Sequence, residues 1–116
     1  MLIDRYKKEV KRGEKFIVVG NRMIIEAIDQ LVSLIDQYKI DNVVPQVERL
    51  QYLKEYLRTK EVMTVRNKLS LYQELFPPQG GLTDIHYWDN DFENRKQINN
   101  ILSSSNKMIS EYLLNQ

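Results

Sequence analysis

A chain of 116 residues is enough for one domain and too short for two. With 42% hydrophobic and 28% charged residues it has the balance of a globular protein and not of a disordered one. The formal net charge of +1 gives the whole molecule no strong pull toward nucleic acid or acidic membranes, and the lack of cysteine excludes disulfides, thiolate metal sites and cysteine nucleophiles.

The first eight residues, Met1-Leu2-Ile3-Asp4-Arg5-Tyr6-Lys7-Lys8, are charged throughout and lack the apolar stretch and small-residue cleavage site of a signal peptide. No segment approaches the roughly 20 apolar residues that cross a bilayer. A cytoplasmic protein is therefore expected. Residues 2–12 read as a short basic helix ending near Gly13, which suits a C-terminal cap. From Glu14 to Tyr38 the apolar residues Phe16, Val19, Met23, Ala27, Leu31, Leu34, Ile35 and Tyr38 recur every three or four positions. Gly20-Asn21 is a weak spot that leaves Phe16–Val19 either helical or extended; the unbroken phase favours one helix.

Asp41-Asn42 precedes the second pattern and offers side-chain acceptors for a helix start, with Pro45 tolerated in the first turn. Val47, Leu50, Leu53 and Leu57 form its stripe, to about Arg58. The third helix is expected after Thr59, with Val62, Val65, Leu69, Tyr72, Leu75 and Phe76 on its apolar side, and Pro77-Pro78 end it. Residues 77–90 form a proline- and glycine-rich loop rich in acids and aromatics. Within it Ile85–Trp88 is the other candidate for extended structure, too short to make a sheet alone. The last helix starts with Asp91 as its N-cap and carries Phe92, Ile98, Ile101 or Leu102, Met108, Ile109 and Tyr112. The expectation is all-α: residues 1–116 as one antiparallel bundle of four to five helices.

Groups that could carry chemistry are few. His86 is the single histidine, which with no cysteine argues against a zinc site; as a general base with Asp84 it is less economical than a histidine in a turn. Ser103-Ser104-Ser105 lacks a nucleophile elbow and suits close helix packing. Gly80-Gly81 lacks the lysine of a phosphate loop, and Asp89-Asn90-Asp91-Phe92-Glu93 lacks the glycine and distant glutamate of a calcium loop. Helix capping explains those acids. No catalytic residue, metal or cofactor is expected.

Charge is distributed unevenly. Arg5, Lys7, Lys8, Lys11, Arg12 and Lys15 make the N-terminal stretch basic, either as a solvated helix face or as a nucleic-acid contact, though with only Tyr6 to stack on a base. At the other end Asp84, Asp89, Asp91 and Glu93 carry no lysine or arginine among them and interleave with Tyr87, Trp88 and Phe92. Two readings stand together there. Acids around aromatics suit a protein-binding surface, and Trp88 and Phe92 equally suit a plug for the end of the bundle. The apolar stripe of Met23–Tyr38 also suits a homodimer.

The run Tyr72-Gln73-Glu74-Leu75-Phe76-Pro77-Pro78-Gln79-Gly80-Gly81-Leu82-Thr83-Asp84, then Tyr87-Trp88, Asn94-Arg95 and Asn99, resembles small bacterial immunity-type and uncharacterised proteins associated with polymorphic toxins. In these a helix ends in a glycine-rich loop containing aspartate before a final helix. The resemblance covers about the last 45 residues of the 116. It implies a cytoplasmic inhibitor that occludes a toxin, with Asp84, Tyr87, Trp88, Asp89, Asp91 and Glu93 as the contact patch. Gly80 and Gly81 shape the loop, which is expected to dock Leu82 and Trp88 on the bundle, and Arg95 holds it by pairing with Asp84 or Asp91.

Overall fold

The computed structural model describes residues 19–59 and 62–115. The basic helix expected at 2–12, its Gly13 cap, the Phe16–Val19 question and the six N-terminal cations fall outside them, apart from Val19 itself. Among the described residues there are four α-helices: α1 (Val19–Gln37), α2 (Val44–Arg58), α3 (Val65–Leu75) and α4 (Phe92–Leu114). A 3-10 turn, Leu82–Asp84, lies between α3 and α4, and no strand occurs among the described residues. The expected all-helical bundle is what forms. α1 packs on α2 and α4, and α3 packs on the same two helices from the other side.

α1 passes through Gly20-Asn21 without a break. Its buried stripe is Ile24, Ile28, Leu31 and Ile35, flanked by Ile25, Ala27 and Leu34. Ala27, Leu31, Leu34 and Ile35 are buried as expected and Tyr38 packs against the core; only Met23 departs, half exposed, and Ile24, Ile25 and Ile28 fill that end of the stripe. Ile28 and Leu31 have no exposed surface. The helix ends in a Schellman-type pair: the Ile40 N–H donates to the Ile35 carbonyl (3.0 Å) and the Lys39 N–H to that of Asp36 (3.3 Å). Lys39 takes the left-handed conformation this closure requires, with φ of 52°.

The entry to α2 differs from the sequence reading. Neither Asp41 nor Asn42 caps it; the N-cap position is Val43, which has no side-chain cap. Asn42 instead adopts φ of 64° and so turns the chain, and that turn drives Val43 into the core. Leu50, Leu53 and Leu57 are buried as expected. α3 also starts later than expected, with Thr64 as N-cap accepting from the Asn67 N–H at 3.1 Å. Of the expected side, Leu75 is buried and Tyr72 and Phe76 pack against the core. Val62, Val65 and Leu69 face solvent, and Met63 and Leu71 enter the core in their place. Two apolar stripes lie side by side on this helix, and packing against α2 and α4 buries the second.

α4 begins at the expected Asp91, whose carboxylate accepts from the N–H groups of Glu93 (3.1 Å) and Asn94 (3.3 Å). Ile98, Leu102, Ser105, Ile109 and Leu113 are its buried face. Ser105 and Ala27 border one crevice between α4 and α1, so a small residue sits where those helices approach. Phe92 is a correction: it lies outside the core at 57% exposure, with its ring 5.1 Å from the Arg95 guanidinium.

Replacing Leu31 by Ala should cost about 2–5 kcal/mol of unfolding free energy through the cavity it leaves. Replacing the exposed Val62 by Ser should change it by less than about 0.5 kcal/mol. Urea unfolding of the two variants separates the core from the bystander stripe.

Candidate functional site

The loop between α3 and α4 is assembled from backbone needs that its residues meet locally. Phe76 leaves helical geometry (φ −127°, ψ 60°) ahead of Pro77. Gly80 and Gly81 both have positive φ, 79° and 74°. At Gly81 a side chain is excluded twice, since a Cβ there would also lie 2.8 Å from the Leu75 carbonyl oxygen. The Asp84 carboxylate closes the turn by accepting from the Gly80 N–H at 2.6 Å. This drops Leu82 into the core with no exposed surface.

Ile85 is extended, no helix, turn or bend forms before Asn90, and side chains of α4 hold this segment. Asn99 donates from Nδ2 to the Tyr87 carbonyl and accepts the Tyr87 N–H on Oδ1, both at 2.9 Å. Its Nδ2 donates a second time, to the Arg95 carbonyl one turn back, which fixes its rotamer. Arg95 donates to the Asp89 carbonyl at 3.3 Å, and Asn106 to the Leu82 carbonyl at 3.0 Å. A carboxamide has the donor and acceptor of a peptide group, so Asn99 does for Tyr87 what a neighbouring strand would do.

Asp89 is the second fixed point. One carboxylate oxygen accepts from the Asp91 N–H (2.9 Å), and the other from the Tyr87 hydroxyl (2.9 Å) and Asn94 Nδ2 (2.6 Å). These donors, the Asp91 amide first and then Asn94 and Tyr87, hold the Asp89 carboxyl below its ordinary range. The Tyr87 phenol is pushed up, because its proton lies in the hydrogen bond to that carboxylate. The Tyr87 ring rests against Tyr38, centroids 4.6 Å apart, which ties the loop to the α1–α2 turn.

The proposed contact residues therefore divide. Asp84, Asp89 and Asp91 each bind backbone within the loop or helix start, while Glu93 is exposed. Trp88 does not dock on the bundle or plug its end: it is 66% exposed, and Phe92 is 57% exposed. Arg95 pairs with neither Asp84 nor Asp91. Its guanidinium lies 4.1 Å from the Trp88 ring centroid and 5.1 Å from that of Phe92. The Asp91 carboxylate caps α4 instead. His86 is exposed on the rim of a groove of about 500 Å³ between this segment and the 38–43 turn. Among the described residues no three histidines or carboxylates gather where a metal could be held.

Reasoning from sequence missed the bracing roles of Asn94, Asn99 and Asn106. The available signal was asparagine repeated inside a long helix, where it is a poor helix former unless its side chain has other partners. Chemically the site is a hydrogen-bonded loop that presents two aromatic rings with an arginine between them. No protein-family model, curated protein or solved structure matches this chain.

Asn99→Ala should cost about 2 kcal/mol, as hydrogen bonds to the Tyr87 backbone are lost; hydrogen exchange should show the Tyr87 amide deprotected before the amides of α1. For Asp89 the folded pKa lies below the ordinary 3.8, so its contribution is present above that value and lost as pH falls through the folded pKa. The melting temperature of Asp89→Asn should thus fall less than that of the wild type when pH is lowered below about 4.

Proposed function

We propose that this chain is a non-catalytic protein-binding module, an immunity-type inhibitor that occludes a partner toxin with the Trp88–Phe92 face. The observation that carries this reading is the exposure of Trp88 and Phe92 on a loop whose backbone is braced by Asn99, Asp84 and Asp89. Tryptophan and arginine are enriched where a few residues dominate an interface, and rings held in place lose little entropy on binding. Exposed aromatics over a mobile loop would favour burial by collapse instead. The finer assignment to toxin inhibition draws on the resemblance carried by residues 72–99.

The carboxylates have a second role in this reading. Asp84, Asp89, Asp91 and Glu93 surround the rings with negative charge, and the described residues together hold ten lysines and arginines against twelve acids. That field steers a basic surface toward the rings. The same field opposes a phosphate backbone at this face, which disfavours nucleic acid as its ligand. A nucleic-acid reading rests on Arg5, Lys7, Lys8, Lys11, Arg12 and Lys15, all outside the described residues.

The test is affinity capture from the native cell with wild type and the Trp88→Ala/Phe92→Ala variant, followed by titration of the captured protein's activity. Wild type should retain a toxin and silence it stoichiometrically. The variant should bind at least about 30-fold more weakly, the loss of a hot spot of roughly 2 kcal/mol, with unchanged thermal unfolding. Equal capture by both proteins, or recovery of nucleic acid alone, would overturn the proposal.

A further inference from the structure

Residues 85–89 alternate in burial and in backbone bonding as a strand does, without belonging to a sheet. Ile85 has φ −77° and ψ 141°, and no turn or bend interrupts the chain before Asn90. Ile85, Tyr87 and Asp89 are half-buried while His86 and Trp88 are exposed, the period of two that a strand gives. The backbone bonds follow the same alternation. Tyr87 and Asp89 point theirs at Asn99 and Arg95, which are one turn apart on α4. In an extended chain, successive residues direct their N–H and C=O groups to opposite edges. His86 and Trp88 therefore present theirs on the edge away from α4, and among the described residues nothing bonds to them. Beside the segment lies the groove of about 500 Å³, to whose walls α4 contributes no residue.

We propose that residues 86–88 are a docking edge, which adds an extended, lysine- or arginine-bearing segment of a partner protein as a strand in this groove. The proposal rests on the reading of the chain as a protein-binding module and supplies its binding mode. Unpaired N–H and C=O groups on an exposed edge are the template that strand addition uses. The charge of the occupant follows from the groove: Asp41 and Asp84 face it against the single cation Lys39. Trp88 lies at one border, with one ring face against the Arg95 guanidinium and the rest of the ring exposed to take the stem of a partner side chain.

His86→Pro isolates the edge. It removes the His86 N–H, which has no partner among the described residues, and Ile85 already has the extended conformation that a residue before proline prefers. The probe is a random dodecapeptide library displayed on phage and panned on the full chain, with the enriched sequence synthesised and titrated by fluorescence anisotropy. Enrichment should favour cationic residues alternating with β-branched ones. The peptide should bind His86→Pro at least tenfold more weakly than wild type, and the wild-type complex should protect the His86 and Trp88 amides from hydrogen exchange. The exchange measurement decides the matter even if the variant misfolds. No enrichment, enrichment of acidic peptides, or unaltered exchange at both amides would overturn the proposal. So would self-association abolished by His86→Pro, which would make a second copy the occupant. Capture lost in Trp88→Ala/Phe92→Ala but intact in a folded His86→Pro leaves the protein-binding reading standing and removes strand addition. Peptide binding sensitive to His86→Pro, with no toxin captured, leaves strand addition standing and removes the toxin-inhibitor assignment.

Discussion

The side-chain amide of Asn99 is the interaction on which the loop depends. It answers both backbone groups of Tyr87 and is itself held by the Arg95 carbonyl, so every hydrogen-bonding direction but one lone pair is assigned. An isolated extended segment of five residues has no ladder to stabilise it and would otherwise sample many conformations. Here the ladder is supplied by a helix. That arrangement works only if α4 is itself immobile, which the burial of Ile98, Leu102, Ser105, Ile109 and Leu113 against the bundle secures. Core packing and loop order are thus one chain of cause: the buried face of α4 fixes the helix, and its flank fixes the loop.

The aromatic face follows from the same constraint. With Tyr87 turned inward onto Tyr38, the strand period turns Trp88 outward, and no alternative register keeps both rings buried. Arg95 covers one face of Trp88 and approaches Phe92, and it also bonds the Asp89 carbonyl, so three contacts position its guanidinium. The acids that look from the sequence like a contact patch are mostly fasteners. Asp84 closes the glycine turn, Asp89 gathers three donors and Asp91 starts the helix. Their charge still reaches solvent, but their geometry belongs to the loop.

Much of the fold was legible because it rests on local rules. The Leu50-Leu53-Leu57 stripe, the stop at Pro77, the cap at Asp91 and the small residue at Ser105 each follow from spacing or side-chain chemistry within a few positions. α3 resisted because it carries two apolar stripes, and only contact with α2 and α4 chooses between them. The α2 entry resisted for a related reason: Asn42 can cap or turn, and the burial of Val43 decides. At the site, the glycines and acids were visible as loop chemistry. The exposure of Trp88 was not, since it depends on a ladder formed with a residue eleven positions later in the chain. The asparagines that make that ladder lie in helical sequence, where composition reads them as surface.

The shortness of the extended segment has a consequence for the protein in a crowded cell. Its free edge spans from His86 to Trp88, closed on one side by the 3-10 turn at Leu82–Asp84 and on the other by the capped start of α4. Stacking into cross-β fibrils needs runs of about six or seven residues that can propagate chain upon chain. A rung this short falls below that length and ends there. Exposed tryptophan and unpaired backbone, the usual ingredients of aggregation, are confined here to a length too short to polymerise.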